Sequence, residues 1–191
     1  EADASKNVEE AISGSTELVV EETKNIPLVL GERDVLKVAA TLPGISTAGE
    51  GAAGFNVRGG STDQNLMLLD NAVIYNPSHF FGIFQALNPF TTKDVKILKG
   101  GIPAEYGGRL SSVFDITSKD ANTEKIAGEA AIGPVTSNVA LEIPVVKGKS
   151  GLLIGGRGTY SGWILRSLEE ESLQNSEASF FDAIAKYTHK F

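Results

Sequence analysis

The chain has 191 residues, 21 glycines, no cysteine and a formal net charge of −7. The acidic balance argues against a nucleic-acid partner, which requires a basic surface, and the lack of cysteine excludes disulfides, thiol nucleophiles and cysteine-based zinc sites. No run of about 18 apolar residues is present, so the sequence predicts no transmembrane helix. The glycine content exceeds the usual roughly 7% and favours a turn-rich β protein.

The N-terminal part of the chain is acidic and lightly apolar, which is typical of a solvated arm. We predict that residues 1–22 form such an arm, with one candidate strand at residues 17–21. Apolar side chains spaced at i, i+3/4 and i+7 then predict an amphipathic helix over residues 34–42. Pro43 and Gly44 follow directly and are typical of a helix end.

In residues 55–118, short apolar runs alternate with tight turns. This pattern predicts a compact sheet with loops at its surface. Asp70 and Asn71 suit a two-residue hairpin turn because both tolerate positive φ. Overlapping apolar faces over residues 79–87 predict a second short helix, which Asn88 ends. The strands predicted in this stretch are residues 55–57, 66–69, 72–75, 95–98 and 112–117.

Longer segments follow Lys119, and in them apolar and polar side chains alternate. The segments are residues 125–133, 136–146, 151–163 and 179–191. This period of two is typical of membrane β-barrel strands, which present one face to lipid and the other to a polar lumen. A soluble meander with one buried face has the same period. Four strands cannot close a barrel, so the barrel interpretation makes this chain a piece of a larger protein.

Five motifs, in family order and spacing, make the chain resemble the plug domain of TonB-dependent outer-membrane receptors, followed by the first strands of their barrel. The motifs are Pro43-Gly44-Ile45, Asn56-Val57-Arg58-Gly59, Leu68-Leu69-Asp70-Asn71, residues 93–100 (KDVKILKG) and Glu105-Tyr106-Gly107. Asn71 stands where the family usually has glycine, but both residues serve a positive-φ turn. The runs over residues 54–65 and 106–116 are similar to Bacteroidetes members of the family.

The resemblance implies an α+β fold. Residues 23–119 would be a small plug domain with a mixed sheet of about four strands and two short helices. Residues 120–191 would be the first four antiparallel strands of an incomplete transmembrane β-barrel. In the family, the plug closes the barrel lumen and TonB opens it for a substrate. We therefore expect a fragment of an active-transport receptor of the outer membrane, with its plug inside the barrel and accessible from the periplasm.

The partners implied by the resemblance are TonB, a nutrient substrate and the outer membrane. Nothing before Ile12 fits the family's TonB box, so we expect the box upstream of this chain. The substrate class stays open between an iron chelate, a cobalamin, a glycan and a peptide. The isolated chain is expected to self-associate through its apolar face and open edge.

Two groups of candidate site residues lie on the expected plug. The loop over residues 75–82 combines aromatic and polar side chains, which suit substrate contact, although its phenylalanines also suit the core of a short helix. The expected substrate contacts are Asn76, Ser78, His79 and Phe80. Arg58 and Arg109 lie beside glycines, and in the family a plug arginine of this kind pairs with carboxylates of the barrel wall. The alternative is that both are solvated surface arginines.

The glycine-rich runs over residues 99–101 and 155–158 match neither the P-loop nor the GxGxxG pattern, and no GxSxG pattern is present. His79 and His189 are the only histidines and match no zinc spacing, so we expect no catalytic residue, metal or cofactor. The alternative function is a soluble periplasmic or surface β-rich binding module. The side chains that separate the two functions are Val139, Leu141, Phe181 and Tyr187. Burial would favour the module, and exposure the incomplete barrel.

Overall fold

The computed structural model describes residues 14–20, 35–49, 54–79, 84–160, 162–163 and 179–190. In these ranges, β-strands account for about half of the residues. The helical elements that lie wholly within them are one turn of α-helix, α1 (Val35–Ala39), and one 3-10 turn (Thr62–Gln64). Among the described helices, none is long and apolar enough to cross a membrane.

A mixed sheet contains β1 (Ser15–Val19), β4 (Asn65–Leu69), β5 (Ala72–Val73), β8 (Thr92–Leu98) and β9 (Ser112–Ser118). The strand order is β1-β8-β9-β4-β5. β4 and β9 run parallel, and the other neighbours run antiparallel. Two short antiparallel pairs lie beside this sheet: β2 (Ile45–Thr47) with β3 (Phe55–Val57), and β6 (Ser78–His79) with β7 (Phe84–Gln85).

The core of this part covers both faces of β8 and β9. Ile97 and Phe114 are fully buried in one apolar cluster, and Leu36 of α1 packs into the same cluster. Leu98 and Val113 are buried in a second cluster. The adjacent residues Val113 and Phe114 of β9 point to opposite faces and are both buried, so this central strand is covered on both faces.

β4 and β5 form the predicted hairpin. Its central residues, Asp70 and Asn71, have φ values of 48° and 68°. Positive φ at both positions gives a turn whose twist matches that of the flanking strands. The hairpin prediction is therefore confirmed, including the role of Asn71 at a position that favours glycine.

A second sheet contains β10 (Ala127–Ile132), β11 (Thr136–Val146), β12 (Ser150–Thr159) and β13 (Phe181–His189), paired antiparallel in chain order. Its side chains alternate in exposure. Phe181 and Tyr187 are 83% and 57% exposed, and Val139 and Leu141 are 44% and 43% exposed. The opposite parity faces the five-stranded sheet. The four side chains whose exposure separates the barrel from the soluble module are therefore on the open face of this sheet.

The predicted α+β fold class, with two short helices and a mixed sheet of about four strands, is wrong. The described residues are mostly β, and the mixed sheet has five strands because β1 pairs with β8 at its edge. The helix predicted over residues 34–42 is reduced to the five residues of α1. Pro43 and Gly44 prevent its extension, and so short a helix forms only through packing against a core.

The helix predicted over residues 79–87 is also wrong. Ser78 and His79 pair instead with Gln85 and Phe84 across β6 and β7. Aromatic side chains favour strands over helices, and a segment this short nucleates a helix poorly. Residues 80–83 lie outside the described ranges.

Candidate functional site

A charged cluster joins β6 to the inward face of the four-stranded sheet. Arg157 and Asp182 are register neighbours on β12 and β13. Nη2 and Nε of Arg157 donate to Oδ2 of Asp182 at 2.5 and 3.1 Å. The other oxygen, Oδ1, lies 2.9 Å from Nε2 of His79. We call His79, Arg157, Phe180 and Asp182 the Asp182 cluster.

Phe180 supplies the aromatic part of this cluster. Its ring stacks on His79 with centroids 4.3 Å apart, and the guanidinium carbon of Arg157 lies 5.0 Å from the ring centre. The Arg157 side chain is only 1% exposed. A charge this deeply buried requires an opposite charge, and Asp182 provides it, with support from the face of the Phe180 ring.

A second charged cluster lies further along β13. Nζ of Lys186 is 3.6 Å from Oδ1 of Asp70 and 3.3 Å from Oδ1 of Asp120, and it donates to the carbonyl of Ser118 at 3.1 Å. Asp70 also accepts hydrogen bonds from the backbone amide and the hydroxyl of Ser118. We call Asp70, Ser118, Asp120 and Lys186 the Lys186 cluster. It connects the hairpin turn of the five-stranded sheet to the four-stranded sheet.

Asp70 gives the Lys186 cluster a predicted pH dependence. Burial raises the pKa of Asp70, but the hydrogen bonds from Ser118 and the charge of Lys186 outweigh it, so its pKa lies below the usual 3.8. A depressed pKa stabilises the folded state above pH 3.8, and this contribution is lost as the pH falls below that value. We expect Asp70→Asn to lower the free energy of unfolding by about 1 kcal/mol near neutral pH, since the carboxylate is partly exposed.

Urea unfolding of both chains between neutral and acidic pH measures this effect. The difference between wild type and Asp70→Asn should shrink as the pH falls below 3.8. A difference that stays constant across this range would assign the effect to packing instead of charge.

The inward face of β12 contacts segments that flank β8 and β9 through glycines. A β-carbon at Gly155 would overlap Cγ2 of Thr91, and one at Gly151 would lie 2.8 Å from Cβ of Ala121. Leu153, between the two glycines, is fully buried. Only glycine permits this close approach of the two backbones.

A cavity of about 260 Å³ lies beside the β4–β5 hairpin. Asp63, Tyr75, Asn76 and Arg109 supply part of its lining. The hydroxyl of Ser61, the backbone amide of Asp63 and the charge of Arg109 together lower the pKa of Asp63. The cavity therefore presents a carboxylate, a guanidinium, an amide and a phenol to a ligand.

The predicted substrate contacts lie in different surroundings. Asn76 is exposed and lines the cavity, whereas Ser78 is only 5% exposed. His79 is engaged by Asp182 and Phe180. Phe80 lies outside the described residues. The structure thus brings Asn76 together with Arg109 but places His79 at a different contact.

Arg58 and Arg109 are both exposed. Within the described ranges, neither forms an ion pair with the four-stranded sheet. Arg58 has a φ of 49°, and a β-carbon on Gly100 would lie 2.5 Å from its Nη1. Its side chain therefore lies over the end of the five-stranded sheet.

Sequence reasoning did not assign a contact to Arg157, Asp182 or Lys186. The signal was present, because these side chains have the polar parity of β12 and β13. A charge on an inward face requires a partner on the element that it faces. Alternation alone does not identify that partner, because it does not tell which loops lie against the sheet.

Tyr106, from the fifth motif, has a structural role. It packs against the second apolar cluster and donates a hydrogen bond from its hydroxyl to Oδ2 of Asp115 at 2.9 Å. Burial and the Asp115 carboxylate raise the pKa of Tyr106 to about 12. The motif thus anchors the loop before β9 to the sheet.

Residues 6–112 match the model of the TonB-dependent receptor plug domain. The match covers more than half of the chain, so the chain belongs to the TonB-dependent receptor plug-domain family. Members of this family are domains of transport receptors. The siderophore receptor PirA from Pseudomonas aeruginosa shares the fold, with a TM-score of 0.57 and 17% identity over 78% of this chain. The chain spans 29% of the length of that receptor. No curated protein matches it.

The family resemblance found in the sequence is thereby confirmed. The similarity to Bacteroidetes members stays a prediction.

Proposed function

We propose that this chain is the plug and the first four barrel strands of an outer-membrane receptor that takes up a nutrient in a TonB-driven process. In this function the plug, residues 23–119, closes the lumen inside the barrel, and strands β10–β13 form part of the wall. TonB would act through a box upstream of the chain, from the periplasmic side. The family membership supports the plug role.

The observation that carries the proposal is the alternation in the four-stranded sheet. Its outward face presents apolar side chains to the surroundings, including Phe181 and Tyr187. Its inward face holds Arg157, Asp182 and Lys186 against the β4–β5 turn, strand β6 and the segment that follows β7. Apolar outside and polar inside is the arrangement of a membrane barrel wall. The exposed face counts against the soluble binding module, which would bury it.

The cavity that contains Asn76 and Arg109 is the proposed first contact for substrate. Its polar groups suit a ligand with both donors and acceptors, such as a chelate or a glycan. Ser78, His79 and Phe80 remain proposed contacts of the adjacent loop. Arg58 and Arg109 remain proposed to pair with a part of the wall that lies beyond β13.

Site-specific labelling tests the wall assignment, since the chain has no cysteine that would react. Tyr187→Cys and Thr188→Cys place a label on adjacent residues of opposite parity in β13. In lipid vesicles that carry quenchers on their acyl chains, we expect strong quenching of an environment-sensitive dye at position 187 and weak quenching at position 188. Equal quenching at both positions would contradict a wall with one lipid-facing side.

The transport step needs the full-length receptor. Uptake should be abolished in cells that lack TonB and restored when TonB is supplied. Uptake that proceeds equally without TonB would refute the energised step while leaving the wall assignment intact.

A further inference from the structure

The five-stranded sheet and its loops meet β12 and β13 in two different ways. Against β12, small groups pack closely: Gly155 lies against Thr91, and Gly151 against Ala121. Leu153 is fully buried between these glycines. Separation here would open voids and expose apolar surface at the same time, which close-packed interfaces resist.

Against β13, the described polar contacts are those of Lys186, the contact of His79 with Asp182 and a hydrogen bond from Thr188 to Asp120, and they are partly open to solvent. His79 and Asp182 are 28% and 23% exposed, and Lys186 and Asp70 are 24% and 36% exposed. Ion pairs with this exposure contribute little to stability and are screened by salt. The contacts with β13 are therefore the more easily broken of the two sets.

His79 can leave the Asp182 cluster without leaving a buried charge unpaired. Asp182 uses Oδ1 for His79 and Oδ2 for Arg157. When His79 departs, Arg157 keeps its carboxylate partner within the four-stranded sheet. The large penalty for an unpaired buried charge is thus avoided in both arrangements.

From this contrast we infer that the plug separates from the wall along β13 first, with β12 as the fixed side. The inference rests on the proposed function, in which plug and wall must part to admit substrate. His79 and Lys186 are the releasable contacts, and Thr91 and Ala121 stay packed on the glycines of β12. Separation also frees the His79 ring from Asp182 and Phe180. His79 therefore becomes available to a substrate only after the plug has separated from β13.

Thiol labelling of the full chain in detergent micelles tests the order of separation. Ile184→Cys and Leu153→Cys are matched probes, because both replace an inward aliphatic side chain, one on β13 and one on β12. Between low salt and about 1 M salt, we expect the maleimide reaction at position 184 to speed up roughly fivefold, as the partly exposed ion pairs of Lys186 with Asp70 and Asp120 are screened. The rate at position 153 should change by less than about twofold, since close packing is not screened.

Variants of the releasable contacts provide the second measurement. With Ile184→Cys, the combination of His79→Leu and Lys186→Met should give the fast rate already at low salt, whereas Lys186→Arg should keep the salt dependence. Equal acceleration at positions 153 and 184, or none at position 184, would overturn the inference. A low-salt rate that His79→Leu and Lys186→Met leave unchanged would overturn it as well.

Labelling rates are measured without transport, so the separation along β13 and the proposed function can be refuted independently. Suppose that the dye at position 187 showed no contact with lipid while the salt effect at position 184 persisted. The proposal of a membrane wall would then be refuted, and the inferred separation along β13 would be retained.

Discussion

Asp182→Asn is expected to lower the free energy of unfolding by about 3–5 kcal/mol, because it removes the carboxylate that pairs with a buried guanidinium. Arg157 is 1% exposed, and both of its short hydrogen bonds within the sheet reach the Asp182 carboxylate. Asparagine keeps the size of the side chain but removes the charge. Urea unfolding in detergent, followed by circular dichroism, measures the loss.

Asp120→Asn is the matched control, since the Asp120 side chain is 63% exposed and its pairing with Lys186 is worth at most about 1 kcal/mol. The double variant Arg157→Met with Asp182→Leu should recover much of the loss, because removing both charges removes the desolvation cost. If Asp182→Asn cost no more than Asp120→Asn, the Asp182 cluster would not anchor Arg157 in solution.

Phe114→Ala should destabilise the plug by about 3–5 kcal/mol through lost burial and the cavity that remains. Phe114 is fully buried in β9, lies opposite Met67 and Ile97 on the neighbouring strands, and stacks on Phe55 with ring centroids 5.5 Å apart. Phe114 therefore links β9 to both of its neighbours, β4 and β8. The loss should appear as a lower urea midpoint for the whole five-stranded sheet.

Phe181→Ala removes the same side chain from a position that is 83% exposed, and we expect a change below about 0.5 kcal/mol. A comparable loss at positions 114 and 181 would contradict the exposure of Phe181 in the single chain and would mean that a second copy covers it. Light scattering on the same samples would reveal the predicted self-association.

Local patterns in the sequence predicted the elements that local chemistry determines. The Asp70-Asn71 hairpin followed from two residues that tolerate positive φ, and β11 has the predicted bounds, residues 136–146. The alternation in β13 correctly placed Phe181 outward and Asp182 inward. Each of these features depends on a few neighbouring residues.

Features that depend on distant residues were missed. The parallel pairing of β4 with β9 joins Asn65 to Ser112, and no local pattern encodes this partner. The helix predicted over residues 79–87 failed because an apolar run of that length suits a strand pair equally well. Tertiary pairing of His79 with Phe84 determined the outcome.

The candidate site was predicted only in part, for the same reason. Asn76 and Arg109 were each singled out, but only the fold shows that they share a cavity. The wall contacts expected for Arg58 and Arg109 stay predictions, whereas the contact of His79 with Asp182 was not predicted. Glycine-flanked arginines are visible in a sequence, but an ion pair between residues 79 and 182 depends on how two sheets pack.

The register of β1 determines how the plug would respond to mechanical load. β1 is an edge strand, and Ser15 lies opposite Leu98 while Val19 lies opposite Asp94. Tension perpendicular to the strands would break these pairs one at a time from Ser15, whereas tension along β1 would load all of them together. A β-carbon on Gly14 would lie 3.4 Å from Nη2 of Arg58, so this side chain covers the end that would peel first.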